Sequence, residues 1–441
     1  MDEILDLDVE PPARMVVDAP HPGSVSGVSD LISAVMGHGG DGLRRQKSHK
    51  SAFSLSSRSA VFLAEHYPQA SPAHWNDWRW QLKHRITTLV ELERVVDLSS
   101  WEREALAPGK NKLPFAVTPY YASLLSRNDP HQPLRRCVIP TMDERIILAC
   151  EEGDPLGEER DSPVQGIVHR YPDRVLFLVT DSCSTYCRYC TRSRRVGKRE
   201  LTRKFAWGPS QWEPALKYIE RNANIRDVLI SGGDPLTMAD HALEYLLQRL
   251  RAISHVEIIR IGTKTPMVLP QRITNRLVQM LRRYHPLFIS IHCTLAEELT
   301  PESQRACTRL ADGGVVLGGQ TVLLKGINDT LPALTSLFQG LLRNRIRPYY
   351  LYHCDQVVGT AHFRTRVDRG LELIRGLRGH TSGYAIPQYV IDLPGGGGKT
   401  PLCPEYLQGR DGRDLLFRNY SGELYRVHDP MEPEMNVGGV A

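Results

Sequence analysis

Three cysteines, Cys183, Cys187 and Cys190, fall within eight residues of the stretch DSCSTYCRYCTRSRR (Asp181–Arg195), in a chain that has nine in all. A closed zinc site wants four ligands, and neither a fourth cysteine nor a histidine follows in the basic run Arg192–Arg199. A [4Fe–4S] cluster held by three thiolates has one iron without a protein ligand, and that iron is a place to bind a small molecule. A zinc site completed from elsewhere, or free thiols on a buried strand, remain open on these residues alone. A disulfide framework suits neither an odd count nor a chain that opens without a signal peptide; the expectation is a reducing, cytoplasmic setting.

A second stretch with chemical content is YVIDLPGGGGKTP (Tyr389–Pro401). Its GKT suggests a phosphate-binding loop, but that pattern needs glycine six residues before the lysine, where this chain has Leu393. Pro401 and Pro404 also disfavour a helix opening at Lys399. Four glycines let a backbone approach a planar ligand closely and end on a single amine, which can form a Schiff base with pyridoxal phosphate (PLP).

These residues need a scaffold. The chain has 441 residues, 41% apolar and 24% charged, with net charge +5 and pI near 8.7. Such a composition supports a large core and requires no nucleic-acid partner. No run reaches the roughly 18 apolar residues of a membrane span. Residues 1–72 mix acidic, Pro, Gly and Ser stretches without periodicity, which predicts a poorly ordered arm. From His74, apolar positions at Trp75, Trp78, Leu82, Ile86, Val90 and Leu92 predict an amphipathic helix that opens a helical region over 73–165. Six short apolar runs follow, at 175–180, 227–233, 256–263, 287–293, 315–324 and 349–355, separated by helical stretches. Strands buried on both faces and alternating with helices imply a parallel sheet of βαβ units. The predicted fold is therefore α/β, a partial (β/α)6 TIM-like barrel over 166–356 followed by a C-terminal segment, 357–441. Chemistry in such folds sits beyond the C-terminal ends of the strands, and the cysteines fall just past the first one.

CxxxCxxC after the first strand, with SGGDP (Ser231–Pro235) at the end of the second, resembles the radical S-adenosylmethionine (radical SAM) superfamily. Together with RYPDR (Arg170–Arg174), RPYYLYHCD, GLRGHTSGY and PGGGGK, the chain from about Trp75 to Pro401 resembles the lysine 2,3-aminomutase family. The resemblance implies three cofactors: a [4Fe–4S] cluster on Cys183, Cys187 and Cys190, SAM contacted through Ser231, Gly232, Gly233 and Asp234, and PLP on Lys399. It places Arg170 and Tyr171 near the PLP phosphate or ring, and implies Arg174, Gln320 and Tyr352 as further cofactor-binding positions. It assigns Arg192, whose planar fork suits a carboxylate, to the substrate carboxylate. Asp355 and Asp392 would hold a distal cation, which relieves the repulsion of two converging carboxylates. The 357–441 segment becomes a PLP-binding and assembly segment. The implied reaction moves the α-amino group of a cationic L-amino acid from C2 to C3, L-lysine to L-β-lysine, with L-arginine as the alternative. An external electron donor of flavodoxin or ferredoxin type and a homodimer or homotetramer go with that reading.

Three departures from the family pattern stand out. Tyr189 replaces a frequent histidine, which alters a contact near SAM. Thr330 follows the Asn328-Asp329 turn where some relatives place a zinc-binding cysteine, so no structural zinc is expected. HCTLA (His292–Ala296) replaces an HFNHP-like sequence, and the smaller residues are expected to make room for a longer substrate tail. A radical enzyme that modifies protein or RNA, and a non-catalytic cluster protein, are the competing classes; the second has no use for Lys399, Arg192, Asp355 and Asp392 together.

Overall fold

The computed structural model describes residues 55–107, 113–197 and 208–429. The expected arm therefore lies outside the described residues as far as 54, but its end does not: Ser57–His66 is a helix, capped by Ser56, with Leu63 buried and Phe62 against Trp75. The long helix expected from His74 is three short ones, Pro72–Trp75, Trp78–Lys83 and Leu89–Glu93. Capping residues override the apolar period: Asp77 accepts from Arg79 N, and Thr88 forms a capping box with Glu91. Further short helices run to Val138, and 151–166 is turns and loop rather than the end of a helical region.

All six expected strands form, and three more join them. One sheet runs β1 (Ile167–Tyr171), β2 (Arg174–Thr180), β3 (Asp227–Gly232), β4 (Ile258–Thr263), β5 (Leu287–His292), β6 (Val316–Leu323), β7 (Arg347–His353), β8 (Gln388–Leu393), β9 (Gly398–Pro401), paired in chain order. Strands β2 to β8 are parallel, with β1 and β9 antiparallel at the two edges. The expected barrel limit at 356 is thus too early, because helix Val367–Leu377 and β8 continue it. Helices such as Pro209–Arg221, Asp240–Arg251, Pro301–Asp312 and Leu331–Arg343 cover the sheet, and the Val, Ile and Leu side chains between form one core.

A second core joins the N-terminal helices to the C-terminal rim of that sheet. Trp75, Leu92, Tyr120, Tyr121 and Val138 pack with Val268, Leu295, Leu324, Cys354 and Phe363, which lie in loops after β4, β5, β6 and β7. The N-terminal region therefore covers the strand ends. A small antiparallel sheet, β10 (Leu407–Asp411), β11 (Asp414–Arg418) and β12 (Leu424–His428), lies beyond the main one in sequence, with Leu424, Tyr425 and Val427 exposed. No helix among the described residues is long and apolar enough to cross a membrane.

Candidate active site

The cysteine loop leaves β2 at Thr180 and is held from outside. Arg85 Nη1 donates to the Cys183 carbonyl at 2.7 Å, Tyr186 N to Ala116 O at 3.0 Å and Arg188 N to Cys137 O at 2.9 Å. The Arg188 side chain is fully buried; its Nε donates to Glu144 Oε1 at 2.7 Å, and Nη1 to the Leu113 and Pro114 carbonyls. Burial, then Asp234 and Cys190, push the Cys183 thiol well above its usual range; burial and then Cys187 push Cys190 up to about 11. Three half-buried thiols on one short loop ionise when bound metal supplies the opposing charge. Ser184 Oγ, Thr185 Oγ1 and Arg85 Nε are also buried there, without a hydrogen-bond partner among the described residues. Such donors fit an anionic iron–sulfur cluster, whose sulfur atoms accept hydrogen bonds. Among the described residues no three of His, Cys, Asp and Glu converge on one metal ion; a four-iron cluster instead spreads its thiolates over separate corners.

The SGGDP turn is stitched to this loop. Gly233 N donates to Thr180 O, and Asp234 N to Ser182 O at 2.7 Å. A Cβ on Gly232 (φ +122°) would collide with the Thr180 carbonyl, and one on Gly233 with that of Ser182, so close backbone approach is what requires both glycines. Ser231 faces the cavity described below, but Asp234 does not. Its buried carboxylate accepts from Thr263 Oγ1 (2.7 Å), Lys264 N (2.8 Å), Thr265 N (3.0 Å) and Leu236 N (3.1 Å). With those bonds made, Asp234 ties the ends of β3 and β4 together.

PGGGGK is a hairpin. β8 and β9 pair antiparallel with Leu393 opposite Gly398 and Asp392 opposite Lys399. The turn between them passes through left-handed backbone at Gly395 (φ +64°) and Gly396 (φ +84°). Residues directly opposite project from the same face, and Lys399 Nζ lies 3.1 Å from Asp392 Oδ1 and 5.4 Å from the centre of the Tyr352 ring. Tyr171 OH, on the far edge of the sheet, accepts from Lys399 N at 2.7 Å. The first and last strands thus meet at the lysine.

A cavity of about 370 Å³ opens between these parts. Arg170, Tyr171, Arg174, Arg192, Ser231, Gln320, Tyr352, Asp355, Asp392 and Lys399, all expected from the sequence, line it; the three cysteines and Gly232, Gly233 and Asp234 do not. Asp355, just past β7, accepts from Thr191 Oγ1 at 2.6 Å; burial first, and Asp392 against it, raise its carboxyl to about 6. Burial, then Lys264 and Arg192, lower His292 to about 4, so its imidazole is neutral at the cavity wall. The donor set fits a phosphorylated aromatic aldehyde: a primary amine, the guanidinium groups of Arg170, Arg174 and Arg260, and the phenols of Tyr171 and Tyr352.

One expectation is corrected. HCTLA makes no room: of its residues only His292 reaches the cavity, while Cys293, Thr294 and Leu295 are buried. The larger Tyr189 fills in, its hydroxyl 2.6 Å from Thr294 Oγ1, and Lys264 Nζ bonds both Thr294 (3.1 Å) and Glu298 (2.6 Å). The spatial argument for arginine therefore falls. Arg192, expected to pair with the substrate carboxylate, also contacts Glu158 Oε1, at 2.8 Å from Nη2 and 2.9 Å from Nε. Glu158, Thr191 and Arg260 escaped notice in the sequence. For Glu158 the signal was the acidic run 151–161, of whose six carboxylates Asp154, Glu158 and Glu159 pair with Arg192 or Arg194 of the cysteine motif. At the zinc-pattern position, Thr330 caps helix Leu331–Arg343.

Residues 177–329 match the Radical SAM superfamily and residues 374–439 match Lysine-2,3-aminomutase. The chain is 48% identical to the L-lysine 2,3-aminomutase of Clostridium subterminale, over 83% of this chain and 87% of that one. It is 46% identical to the L-lysine 2,3-aminomutase of Bacillus subtilis, over 81% of this chain and 75% of that one. It is also 41% identical to the glutamate 2,3-aminomutase of Clostridioides difficile, over 82% of this chain and 84% of that one.

Proposed function

The chain belongs to the lysine 2,3-aminomutase family of radical SAM enzymes, and we propose that it converts L-lysine to L-β-lysine by moving the amino group from C2 to C3. The observation that carries this reading is the meeting of Lys399, Arg192, Asp355 and Asp392 in one cavity. When bound, the cluster with SAM supplies a 5′-deoxyadenosyl radical for hydrogen abstraction, and PLP supplies a conjugated π-system for the amino shift. Cys183, Cys187 and Cys190 would hold the cluster; Ser231, at the end of β3, and Gln320, on β6, would face SAM; Lys399, Arg170, Tyr171, Arg174 and Tyr352 would hold PLP.

The chain's own residues position the amino acid. Arg192 takes the α-carboxylate and the two aspartates take the terminal ammonium, so the substrate is held at both ends. Asp392 pairs with the Lys399 ammonium while that amine is free; once the amine is engaged by PLP, the carboxylate is open to the substrate ammonium, which puts one cation in the place of another. Glutamate offers its second carboxylate to the two aspartates, which repels it. The N-terminal cover and buried core below it keep bulk water from the strand ends.

An external low-potential electron donor of flavodoxin or ferredoxin type completes the reading, since the cluster needs reduction. A homo-oligomer is supported by the apolar side chains exposed on β12. The test is anaerobic turnover of L-lysine, L-arginine and L-glutamate by the reconstituted enzyme with SAM and a reductant, with the β-amino acids quantified. Lysine is expected to exceed glutamate in kcat/KM on the order of 10⁴-fold, the discrimination that a polar pocket achieves. Comparable rates with glutamate overturn the roles of both aspartates.

A further inference from the structure

The segment 151–161, EEGDPLGEERD, belongs to neither the barrel nor the N-terminal helices, yet it touches both edges of the sheet. Its Asp161 and Leu156 carbonyl hold Arg170 on β1, and its Pro155 carbonyl accepts from Gly395 N in the lysine hairpin at 2.9 Å. Between these anchors Glu158 turns inward, its side chain 4% exposed and facing Arg192 and Arg194. Buried carboxylates are costly unless paired. Burial pushes Glu158 up, but Arg192 and then Arg194 outweigh it and hold the carboxyl below its ordinary value.

We propose that Glu158 is a positioning residue for the substrate α-carboxylate: it grips Arg192 along the Nε–Nη2 edge and leaves Nη1 for the incoming carboxylate. This rests on the role given to Arg192 above. Glu158 Oε1 meets both Nη2 (2.8 Å) and Nε (2.9 Å), and Oε2 lies 3.3 Å from Nε, so that whole edge of the guanidinium is held, while Nη1 of this cavity-lining arginine has no partner among the described residues. The grip also settles a conflict. Asp355 lines the same cavity as Arg192, and an unheld arginine would be drawn onto the carboxylate that serves the other end of the substrate. Glu158 keeps the two ends of the site apart, and an arginine ordered before the substrate arrives loses less freedom on binding.

The test uses holoenzyme loaded with cluster and PLP, without SAM, and reads ligand binding from the PLP absorbance. L-lysine is compared with 1,5-diaminopentane, the same chain without the carboxylate. Glu158→Gln is expected to lower lysine affinity on the order of 10- to 100-fold, the effect of losing a charged hydrogen-bond pair, with diamine affinity held within about threefold. Iron and PLP contents stay at the parent level. Arg192→Lys, which keeps the charge but loses the gripped edge, carries the same expectation should E158Q not assemble, and the double variant E158Q/R192K loses no more than R192K. Arg194→Gln, which removes the other partner of Glu158 away from the cavity, keeps the preference for lysine. Unchanged lysine affinity in E158Q, equal loss of both ligands, or as great a loss in R194Q overturns the proposal. A parent enzyme that binds the diamine as tightly as lysine removes the role of Arg192 itself, and the proposal with it.

Discussion

The cysteine loop and the lysine hairpin face the same cavity but are held in opposite ways. The loop is pinned by residues far off in the chain: Arg85 bonds Cys183 across 98 positions, and Glu144 bonds Arg188 across 44. Those anchors come from the N-terminal region, whose own core packs on the strand ends. The hairpin takes its register from its neighbour, since β9 pairs among the described residues with β8 alone and the glycine turn sets Lys399 opposite Asp392; its distant bonds, from Gly395 N to Pro155 O and from Lys399 N to Tyr171 OH, hold the backbone of a turn already formed. A cluster site is thus assembled from outside the barrel, whereas the amine grows out of the sheet itself. Damage to one should spare the other until both are asked to act on one substrate.

The strongest way to break this comparison is to remove each anchor of chemistry in turn. Cys187→Ala is expected to lose the cluster, from about four irons per chain in the parent, and all SAM cleavage, while PLP absorbance on Lys399 remains. Lys399→Ala should do the reverse. Loss of both signals in either variant would show that the halves are not separable.

Next in size is the buried Arg188–Glu144 pair. Arg188→Leu leaves Glu144 without its partner in a largely buried place, a loss of about 3–5 kcal/mol for such pairs. Chemical denaturation should report that loss. Iron retention should fall with it, and PLP loading should fall far less.

A smaller effect sharpens the hairpin side. Asp355 must be ionised to hold a cation, and its carboxyl in the free protein is raised to about 6 by burial and Asp392. It is charged above that pH and neutral below, so KM for lysine should rise as pH falls through about 6, by at most about tenfold per unit. The same shift has the opposite sign for folding. A carboxyl raised in the folded state contributes stability that is present below its unfolded value and lost as pH rises through about 6, about 1–3 kcal/mol here. Asp355→Asn should abolish both limbs.

The smallest change expected is in Thr191→Val. Thr191 joins the two halves, sitting between Cys190 and Arg192 while its hydroxyl holds Asp355. That bond lowers the Asp355 carboxyl, so its loss should move the acid limb of the KM profile to higher pH. Lysine binding should weaken by about 1–2 kcal/mol, the worth of a hydrogen bond to a charged group. A profile that stays in place would mean that the halves do not communicate through this residue.

The same contrast explains what could be read before the fold was known. Strands with period and composition of their own, such as VLFLVT and LFISIH, were legible, as were three cysteines at a strand end and an amine after four glycines. The 151–161 segment was not, because it has no periodicity and its partners Arg170, Arg192 and Gly395 are separate in sequence. The short N-terminal helices were misjoined because Trp and Leu positions kept a helical spacing across Asp77 and Thr88, whose capping chemistry breaks the chain there. HCTLA shows the limit of comparing one loop at a time. Its small residues suggested space, which Tyr189, on a different loop, occupies.

The central claim is that one amino group moves within one lysine molecule. Anaerobic holoenzyme given SAM, reductant and a mixture of unlabelled L-lysine with L-lysine carrying both α-15N and 3-13C tests it most directly. The account predicts β-lysine in which 15N is bonded to 13C at C3, with the two labels always together. Release of labelled ammonia, or products in which the labels have scrambled between molecules, would contradict it.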